Sequence, residues 1–587
     1  MKLRISLSLV WVSLWWFLSE YFFMPTIDFS ATGGLYFEIT FIALGLMAIW
    51  WIGEDEIPLP AFIFDGVAVI SFLAMFAIAF FGSTEMFHAE EYQQLIGKVE
   101  ETEFTSNVQP VATDQMIIVD QEIAQRIGEK ELGSDPGLGS RVELGEFTLQ
   151  VVDKKLYWIA PLLHSGFFKW NRFDNEGTPG YVRVSATNQE DYALVKKVGQ
   201  KDLHVKYQTE SYFSQDLERH LYTHGYASKL FSDFTFEVDD NWNPYWTITL
   251  YDTKIGFGGS DAYGVLTVDP ETGDVKEYSI ANAPAWIDRI QPETVVSGQV
   301  DDWGSLIHGW WNPSHADVKK VTEDYSLVLG NDGRSYFYFG LTSSGNDNST
   351  VGFVMVDTRT KKSHWFKQAG ATESAARGSA EGKVQEKGYN GSDGITYNIG
   401  GHPTYEFLLK DKGGLMKLIA LVNVHDHTIV GIGENRHEAI QDYQSQITNR
   451  GNAVAISASD MEKVSINSHI KRFGIEVVKG NTFYYFVLSE KPTVKFTTGT
   501  TVSTDLALTR EGDQVKVDYI ETTSGEISIT NFRNLTLGLT DAADVLAKAG
   551  TDSLRVVKIE KSNEKVIDNK WDSLSVEDKK KLLKTKH

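Results

Sequence analysis

Long apolar segments alternate with short polar gaps over the first 82 residues of the chain. The apolar segments are residues 5–24, 35–53 and 61–81. Each holds about 20 residues, which as a helix spans about 30 Å, the thickness of the hydrocarbon core of a bilayer. A cleavable signal peptide would have a shorter apolar core and would not be followed by two more such segments. The pattern therefore predicts a three-helix transmembrane anchor over residues 1–82.

Basic residues at the N-terminus predict how this anchor is oriented. Lys2 and Arg4 precede the first apolar segment, whereas neither polar gap contains Lys or Arg. Because the cytoplasmic ends of membrane segments are enriched in Lys and Arg, we expect a cytoplasmic N-terminus and, after three crossings, an extracytoplasmic C-terminal region. Each segment also carries one acid near an end, Glu20, Glu38 or Asp65. Such acids either lie at the interface or mark an ion path, and their positions favour the interface.

A β-hairpin pattern is the most informative feature of the rest of the chain. Residues 264–280 contain an apolar run ending in Val-Asp, a turn with one Pro and one Gly, and a second alternating run. Pro restricts φ and Gly permits positive φ, so this order is typical of a hairpin. Similar runs recur at residues 351–366 and 418–432, with a weaker one at 180–195. Aligning the runs places equivalent valines at Val184, Val268, Val356 and Val422.

Each hairpin follows a helical pattern, so we predict an α+β fold in which tandem helix-plus-antiparallel-sheet modules follow the three N-terminal transmembrane helices. In the third module the expected helix contains Val318 and Val321. The predicted divisions are a transmembrane anchor at 1–82, an acidic stalk at 83–111, module 1 at 112–200, module 2 at 201–290, a linker helix and module 3 at 291–368, module 4 at 369–452, a β-barrel at 453–540 and a helical basic tail at 541–587.

The linker before module 3 has its own apolar pattern. Val296, Val300, Trp303, Ile307 and Trp310 recur at helical spacing and predict a helix with one wide aromatic face. If exposed, this face would be a site for a partner. The alternative is that it packs between modules, and the large aromatic side chains favour packing because they usually supply core burial.

Short strands dominate the pattern after about residue 455. Five or six alternating runs are separated by turn signals at Gly480-Asn481 and Gly512-Asp513, which predicts a C-terminal small β-barrel, possibly of the OB-like kind. Barrels of that kind often bind single-stranded nucleic acid through basic grooves and aromatic side chains. Acidic residues crowd this region instead, at Asp505, Glu511, Asp513 and Asp518.

Composition and charge narrow the function classes further. The formal net charge is −24, and an acidic surface repels a phosphate backbone, so we expect no nucleic-acid partner. The 587 residues include no Cys, which excludes disulfides, thiolate metal sites and Cys nucleophiles. A long chain without Cys suits an exported bacterial or viral protein that folds without oxidation.

The hairpin turn carries a resemblance to a known family. The pattern Val-Asp-x-x-Thr-Gly-x-Val at residues 268–275, placed after a helix, resembles the turn of PepSY domains, which are small cystatin-like α+β modules. Residues 356–360 keep part of the pattern, and the resemblance covers at most residues 113–432. It implies a non-catalytic regulatory or binding role in envelope or secreted proteins, and the family has no catalytic set to transfer.

Several residue groups could carry chemistry, but none forms a complete site. His425 and His427 could begin a zinc site, yet they align with the hairpin turns and no third ligand is adjacent. Gly431-Ile-Gly433 lacks the third Gly and the βαβ unit of a dinucleotide loop. A strand beginning with Trp242, Tyr245 and Trp246 could stack on a sugar, although such positions usually belong to the core. We therefore assign no catalytic residue, no cofactor and no metal.

The sequence favours a membrane-anchored extracytoplasmic protein with a non-catalytic binding, scaffolding or regulatory role at the cell envelope. Its expected partners are the bilayer, through three spans, and another envelope protein or a cell-wall polymer. Two alternatives stay open. One is a hydrolase of wall polysaccharide or peptide that uses two of the many Asp and Glu residues. The other is a phage-encoded envelope protein that affects host entry or lysis.

Overall fold

The computed structural model describes residues 1–102, 116–135, 137–153, 155–330, 333–343, 349–399, 402–449, 463–478, 481–499, 502–520 and 526–538. The fold is α+β, as predicted, and the chain divides into two units, Met1–Ile456 and Ser457–His587. The predicted tail at 541–587 and the end of the predicted stalk, residues 103–111, lie outside the described residues. The predicted domain boundaries stay predictions.

Three apolar helices open the first unit. They are α1 (Lys2–Phe22), α2 (Gly34–Trp51) and α3 (Leu59–Phe81). All three are long and apolar enough to cross a membrane, which confirms the predicted apolar segments. Trp15 Nε1 donates to Glu38 Oε2 at 2.5 Å, so this acid is paired between helices. At the other end of the helices, the Arg4 guanidinium lies 2.8 Å from the Glu54 carboxylate.

The segment after the third helix is ordered against the rest of the unit. It forms helix α4 (Glu85–Gln94) and strand β1 (Val99–Thr102). The Tyr92 hydroxyl donates to Ser83 O at 2.5 Å and ties the helix to the end of the apolar anchor.

Four separate sheets follow, each accompanied by a helix, and we number the modules in chain order. Module 1 contains α5 (Gln121–Gly133), β2 (Val142–Leu144), β3 (Thr148–Val152), β4 (Lys155–His164), α6 (Phe167–Phe173), β5 (Tyr181–Ser185), β6 (Tyr192–Val195), β7 (Lys197–Val198) and β8 (Lys201–Asp202). Module 2 contains α7 (Leu217–Leu221), β9 (Leu230–Val238), β10 (Pro244–Ile255), β11 (Gly258–Val268) and β12 (Val275–Ser279).

Modules 3 and 4 repeat the order of a helix followed by antiparallel strands. Module 3 contains α8 (Glu293–Ser305), β13 (Lys319–Leu329), β14 (Ser335–Ser343), β15 (Ser349–Asp357) and β16 (Ser363–Ala371). Module 4 contains α9 (Glu373–Lys383), β17 (Asn390–Gly391), β18 (Ile395–Ile399), β19 (His402–Lys410), β20 (Met416–Asn423) and β21 (Val430–Gly433), and α10 (Arg436–Asn449) packs behind it. Helices α5, α7 and α9 each begin at a capping side chain. Asp120, Asp216 and Thr372 accept a hydrogen bond from a backbone N–H in the first turn of these helices.

Two predictions about module 3 are wrong. Val318 and Val321 do not lie in a helix. Val318 directly precedes strand β13, and Val321 belongs to it. The helix of this module is α8, and it ends at Ser305, before Ile307 and Trp310. The predicted aromatic face is therefore split: Val296 and Val300 are fully buried, whereas Trp310 lies in the following loop and is exposed.

The turns of the four hairpins are equivalent, which explains the aligned valines. Val184, Val268, Val356 and Val422 are all fully buried. The side chain of the residue after each valine accepts a hydrogen bond from the backbone N–H two positions further along the chain. These residues are Ser185, Asp269, Asp357 and Asn423. Side chains of this kind stabilise a turn by replacing a backbone acceptor. In module 3, Lys361 takes the left-handed position with φ 62°, where module 2 has Gly273 with φ 78°.

The modules pack in the spatial order 2–1–4–3. Leu162 and Val182 of module 1 share an apolar cluster with Leu408 and Leu421 of module 4. A second cluster joins the other face of module 1 to module 2, and a third joins the other face of module 4 to module 3. Strand β1 pairs in parallel with β16, which adds the segment after the membrane helices to the sheet of module 3.

The described residues of the second unit form five strands. They are β22 (Lys463–Val478), β23 (Asn481–Leu488), β24 (Lys495–Gly499), β25 (Gln514–Ile520) and β26 (Glu526–Asn534). The first half of β22 pairs with β25 and the second half with β23, while β24 and β26 are parallel neighbours. Three acids of this unit have structural partners; Asp505 and Asp513 both accept from Asn534, and Asp518 accepts from the Ser465 hydroxyl at 2.6 Å.

Candidate functional site

A cavity of about 410 Å³ lies where the edges of two sheets diverge. Strand β9 is the last strand of the module 2 sheet, and β3 of module 1 pairs only with β4, so each presents an open edge. The walls are Glu146, Thr148, Pro161 and Leu163 of module 1, Thr209, residues 232–236 and Trp246 of module 2, and Arg289 with residues 292–294 of the linker to module 3. The volume is within the range of small-ligand sites, about 300–1,000 Å³.

The side chain of Gln150 closes one end of the cleft by forming two backbone hydrogen bonds of the kind that a neighbouring strand would form. The Gln150 amide donates from Nε2 to Val238 O at 2.6 Å and accepts from Val238 N at 2.9 Å. Gln150 is fully buried, so this pair of hydrogen bonds satisfies the outer edge of β9 where the two modules touch.

Further along the same edge, the backbone of β9 is open to the cavity. Peptide groups alternate in direction along a strand, so Phe236 directs its N–H and C=O to the same side as Val238. The pairing of β9 with β10 has no register shift between these two residues. No described residue forms a hydrogen bond with the outward backbone groups of Phe236. The unpaired backbone groups of Phe236, a residue that is 2% exposed, therefore border the cavity.

Arg289 places a guanidinium in the cavity wall. Its Nη2 donates to the Thr235 hydroxyl at 3.3 Å, while its buried Nε has no hydrogen-bond partner among the described residues. Within the described ranges, no carboxylate lies within 4.0 Å of this guanidinium. A guanidinium held this way can receive a carboxylate through paired N–H donors.

Two buried carboxyl groups lie behind the wall of the cavity. Glu237 Oε1 accepts from the Thr247 hydroxyl at 3.1 Å, and Oε2 accepts from Asp288 N at 3.2 Å. Asp288 in turn accepts from Val151 N of module 1. These two acids therefore join module 1, module 2 and the linker, and neither belongs to the lining of the cavity.

Burial changes the protonation of both acids. It raises the pKa of Glu237 to about 8, with a further rise from the Asp288 carboxyl and an opposing effect of Arg289. Burial also raises the pKa of Asp288 to about 7, against the Val151 N–H bond and the Arg359 guanidinium. Near neutral pH these groups are thus partly or mostly protonated.

The linker that carries Asp288 and Arg289 is fastened by Arg359 of module 3. Its guanidinium donates to four carbonyl oxygens, those of Ala283, Pro284, Ala285 and Ile287, at 2.6–3.0 Å. The position of Arg289 in the cavity is therefore determined by contacts with all three neighbouring modules.

The residues considered for metal binding do not converge. His425 and His427 lie in the turn between β20 and β21, and His425 Nε2 is 3.0 Å from Gln368 Nε2. Among the described residues, no group of three or more His, Cys, Asp or Glu side chains could hold a metal ion.

The Gly431-Ile-Gly433 run has a packing role. A Cβ on Gly431 would lie 2.4 Å from Tyr443 N, and one on Gly433 would lie 2.3 Å from Ala439 N. These glycines let helix α10 approach strand β21 closely, which a side chain at either position would prevent.

The aromatic residues around the start of β10 lie partly in the core and partly in the wall of the cavity. Trp246 is nearly fully buried, donates to Tyr207 O at 2.9 Å, and its side chain forms part of the cavity wall. Tyr245 stacks on Trp286 at 5.1 Å, and Trp242 O accepts from the Tyr181 hydroxyl at 2.9 Å. Of this group, Trp246 alone lines the cavity.

Sequence reasoning missed Arg289, Glu237 and Gln150. A signal was present for Glu237, because it is an acid within Phe234–Val238, a run whose other residues are apolar or Thr. Arg289 and Gln150 gave none, since their role depends on which sheet edges meet.

Comparison with family models and with curated proteins finds no match. Among solved structures, the chain is similar to the Bacillus megaterium YpeB C-terminal domain. The identity is 10% and the TM-score 0.11, over 43% of this chain and 98% of that chain.

Proposed function

We propose that the protein is a membrane-anchored, non-catalytic binding protein of the cell envelope, and that the cleft between β3 and β9 holds an extended peptide bearing a carboxylate. The observation that carries the proposal is the open edge of β9 at Phe236, which faces a cavity with Arg289 in its wall. Main-chain hydrogen bonds to a sheet edge provide affinity for any extended chain, and a nearby charge provides selectivity.

A peptide fits this cleft better than a sugar. Sugar sites generally need an exposed aromatic face, but Trp246 and Phe236 are only 3% and 2% exposed and serve the core between modules 1 and 2. The N–H and C=O of Phe236 instead match the pattern of an incoming strand. Arg289 would bind a C-terminal or side-chain carboxylate of the peptide.

The contacts between the modules and the anchor support an extracytoplasmic location for the modules. Lys2 and Arg4 lie at one end of the three helices, and Pro25 lies at the other. At that second end Tyr222 of module 2 donates to Pro25 O at 3.0 Å, and Ile27 N donates to Ala227 O at 2.7 Å. The modules would therefore stand on the side opposite to the basic N-terminus, which is extracytoplasmic if positive charge marks the cytoplasm.

The finer parts of the fold belong to the same proposal. We propose PepSY-like modules on the basis of the equivalent hairpin turns, and an OB-like barrel in the second unit. The strand order β22-β23-β24-β26-β25, with a parallel β24–β26 pair and a short helix between β24 and β25, supports the barrel.

The test uses full-length protein in nanodiscs and an array of hexapeptides that alternate Val and Thr and carry one Asp or a free C-terminal carboxylate. We expect binding that weakens at least tenfold in Arg289→Gln and is abolished when Ser232→Trp fills the cavity. Arg172→Gln changes an exposed arginine of module 1 and is the matched control. Absence of binding to every peptide, or equal binding by all variants, would refute the proposal.

A hydrolase of wall polysaccharide or peptide is the second candidate, favoured by the raised pKa values of Glu237 and Asp288. A protonated carboxyl group beside a cleft can act as a general acid. The hydrogen bonds of these acids to Thr247, Asp288 N and Val151 N favour a structural role instead. The hydrolase predicts product release from cell-wall material that is lost in Glu237→Gln, whereas the binding protein releases nothing.

A further inference from the structure

Two adjacent tryptophans stand exposed in the loop after helix α8. Trp310 is 45% exposed and Trp311 is 77% exposed, and their ring centroids are 6.0 Å apart. Nearby Trp303 packs differently, since it lies 5.9 Å from Trp365 of the module 3 sheet. Large aromatic side chains left in water at a loop tip are typical of a surface that meets an apolar partner.

The position of this loop follows from how α4 and α8 pack. Ile96, just after the end of α4, shares an apolar cluster with Val296 near the start of α8 and Val300 near its middle. At the other end of the pair, Asp302 in the last turn of α8 interacts electrostatically with Glu85, the first residue of α4. The two helices are therefore antiparallel.

This arrangement brings the end of α8 back to the membrane end of α4. Glu85 is four residues beyond Phe81, where the third apolar helix ends. Tyr92, which interacts electrostatically with both Asp302 and Glu85, also donates its hydroxyl to Ser83 O. The loop with the tryptophan pair thus begins beside the point where the chain leaves the bilayer.

We propose that Trp310 and Trp311 insert into the interfacial layer of the bilayer that the three helices span, as a further contact between the modules and the membrane. Tryptophan prefers this layer because its ring is apolar while its N–H can bond to water and headgroups. The surrounding acids, Asp302 and Glu85, disfavour attraction to anionic lipids, so the contact is apolar and insensitive to salt.

The absence of Cys in the chain makes the test direct, because a single introduced Cys can be labelled uniquely. Full-length Trp311→Cys protein carrying a nitroxide is reconstituted into phosphatidylcholine bilayers. Lys98→Cys is the control, since its side chain is 85% exposed and lies four residues beyond Gln94, where α4 ends. We expect the ratio of oxygen to nickel-complex accessibility at position 311 to exceed that at position 98 at least threefold, at low and high salt.

Equal accessibility at the two positions would overturn the proposal, as would a loss of lipid contact at position 311 when salt is raised. The tryptophan pair could instead be a platform for sugars, and N-acetylglucosamine oligomers added to the same sample distinguish the two. Immobilisation of the label by the oligomers, with water-like accessibility in their absence, would assign the pair to a sugar and refute the lipid contact.

Discussion

Module 1 meets module 4 through one apolar cluster, the apolar junction, and meets module 2 through another, the polar junction, whose β3 edge adds a buried amide, two acids and a cavity. Leu162, Leu408 and Leu421 are buried and fill the apolar junction. At the polar junction, Gln150 pairs one residue of β9 and leaves the next outward-facing residue open. Both junctions bury apolar side chains and so provide stability, and the second also holds the proposed binding cleft.

The largest expected effect concerns the apolar junction. Leu162 is fully buried between modules 1 and 4, so Leu162→Ala removes apolar contacts and leaves a cavity. We expect the free energy of unfolding of the module region to fall by about 2–5 kcal/mol, measured by denaturant titration. Leu415→Ala, at a leucine that is 57% exposed, is the control and should change it by about 0.5 kcal/mol or less. Equal losses in the two variants would remove the distinction between the junctions.

The next effect is the pH dependence of the polar junction. Because the pKa of Glu237 is raised to about 8 in the folded state, folding favours its protonated form. The contribution of Glu237 to the free energy of unfolding is therefore complete below the ordinary pKa of a Glu, and it is lost as the pH rises through about 8. Raising the pH from 5 to 8 should therefore lower the free energy of unfolding by on the order of 3 kcal/mol through this one group.

The measurement is the Tm of the full-length protein from pH 5 to pH 8, compared with Glu237→Gln. We expect the Tm of the parent protein to fall across this range and the variant to flatten the profile, since an amide does not titrate. The residual slope reports the other acids whose pKa burial raises, which are Asp302 to about 6, Asp288 to about 7 and Glu406 to about 8. A Tm that stays constant or rises with pH in the parent protein would contradict the protonated junction.

A smaller effect follows from breaking the amide bridge. Gln150→Ala leaves Val238 N–H and C=O without their buried partners, which should lower the free energy of unfolding by about 1–3 kcal/mol. Gln125→Ala on the exposed face of α5 serves as control and should be near neutral. If the outer edge of β9 is what binds peptide, Gln150→Ala should also extend the site by one residue, so longer peptides should gain affinity.

The smallest effect is electrostatic and lies at the rim of the apolar junction. Lys410 of module 4 is 2.8 Å from the Asp120 carboxylate and also contacts Glu122 of α5. Because Glu122 is half exposed, we expect Lys410→Gln to cost about 1 kcal/mol or less, with the difference shrinking in high salt. A loss that exceeds that of Leu162→Ala would mean that charge, rather than burial, holds modules 1 and 4 together.

Local chemistry made part of this fold predictable. The apolar helices and the hairpins depend on length, periodicity and turn residues, and the four aligned valines all proved fully buried. Even the copy without Gly keeps its turn, because Lys361 adopts φ 62° while Asp357 holds the backbone as Asp269 does in module 2.

The site could not be predicted in the same way. Modules 1, 2, 3 and 4 pack in the order 2–1–4–3, and sequence order contains no information on which sheet edges meet. Gln150 and Val238 are 88 residues apart and gain their roles only when β3 and β9 come together. The prediction of a helix at Val318 and Val321 failed because two apolar residues three apart are too short a pattern to identify a helix, and pairing with β14 decided the outcome.

The parallel pairing of β1 with β16 has a mechanical consequence. The chain passes from the third apolar helix through α4 to β1, and Val99–Thr102 lie in register with Ser363–Phe366 at the edge of the module 3 sheet. A pull between the envelope and the modules therefore acts along the strands and stretches all the hydrogen bonds of the pair at once. Such a shear joint resists force far better than one that unzips bond by bond, so tension would be transmitted into module 3 before this joint gives way.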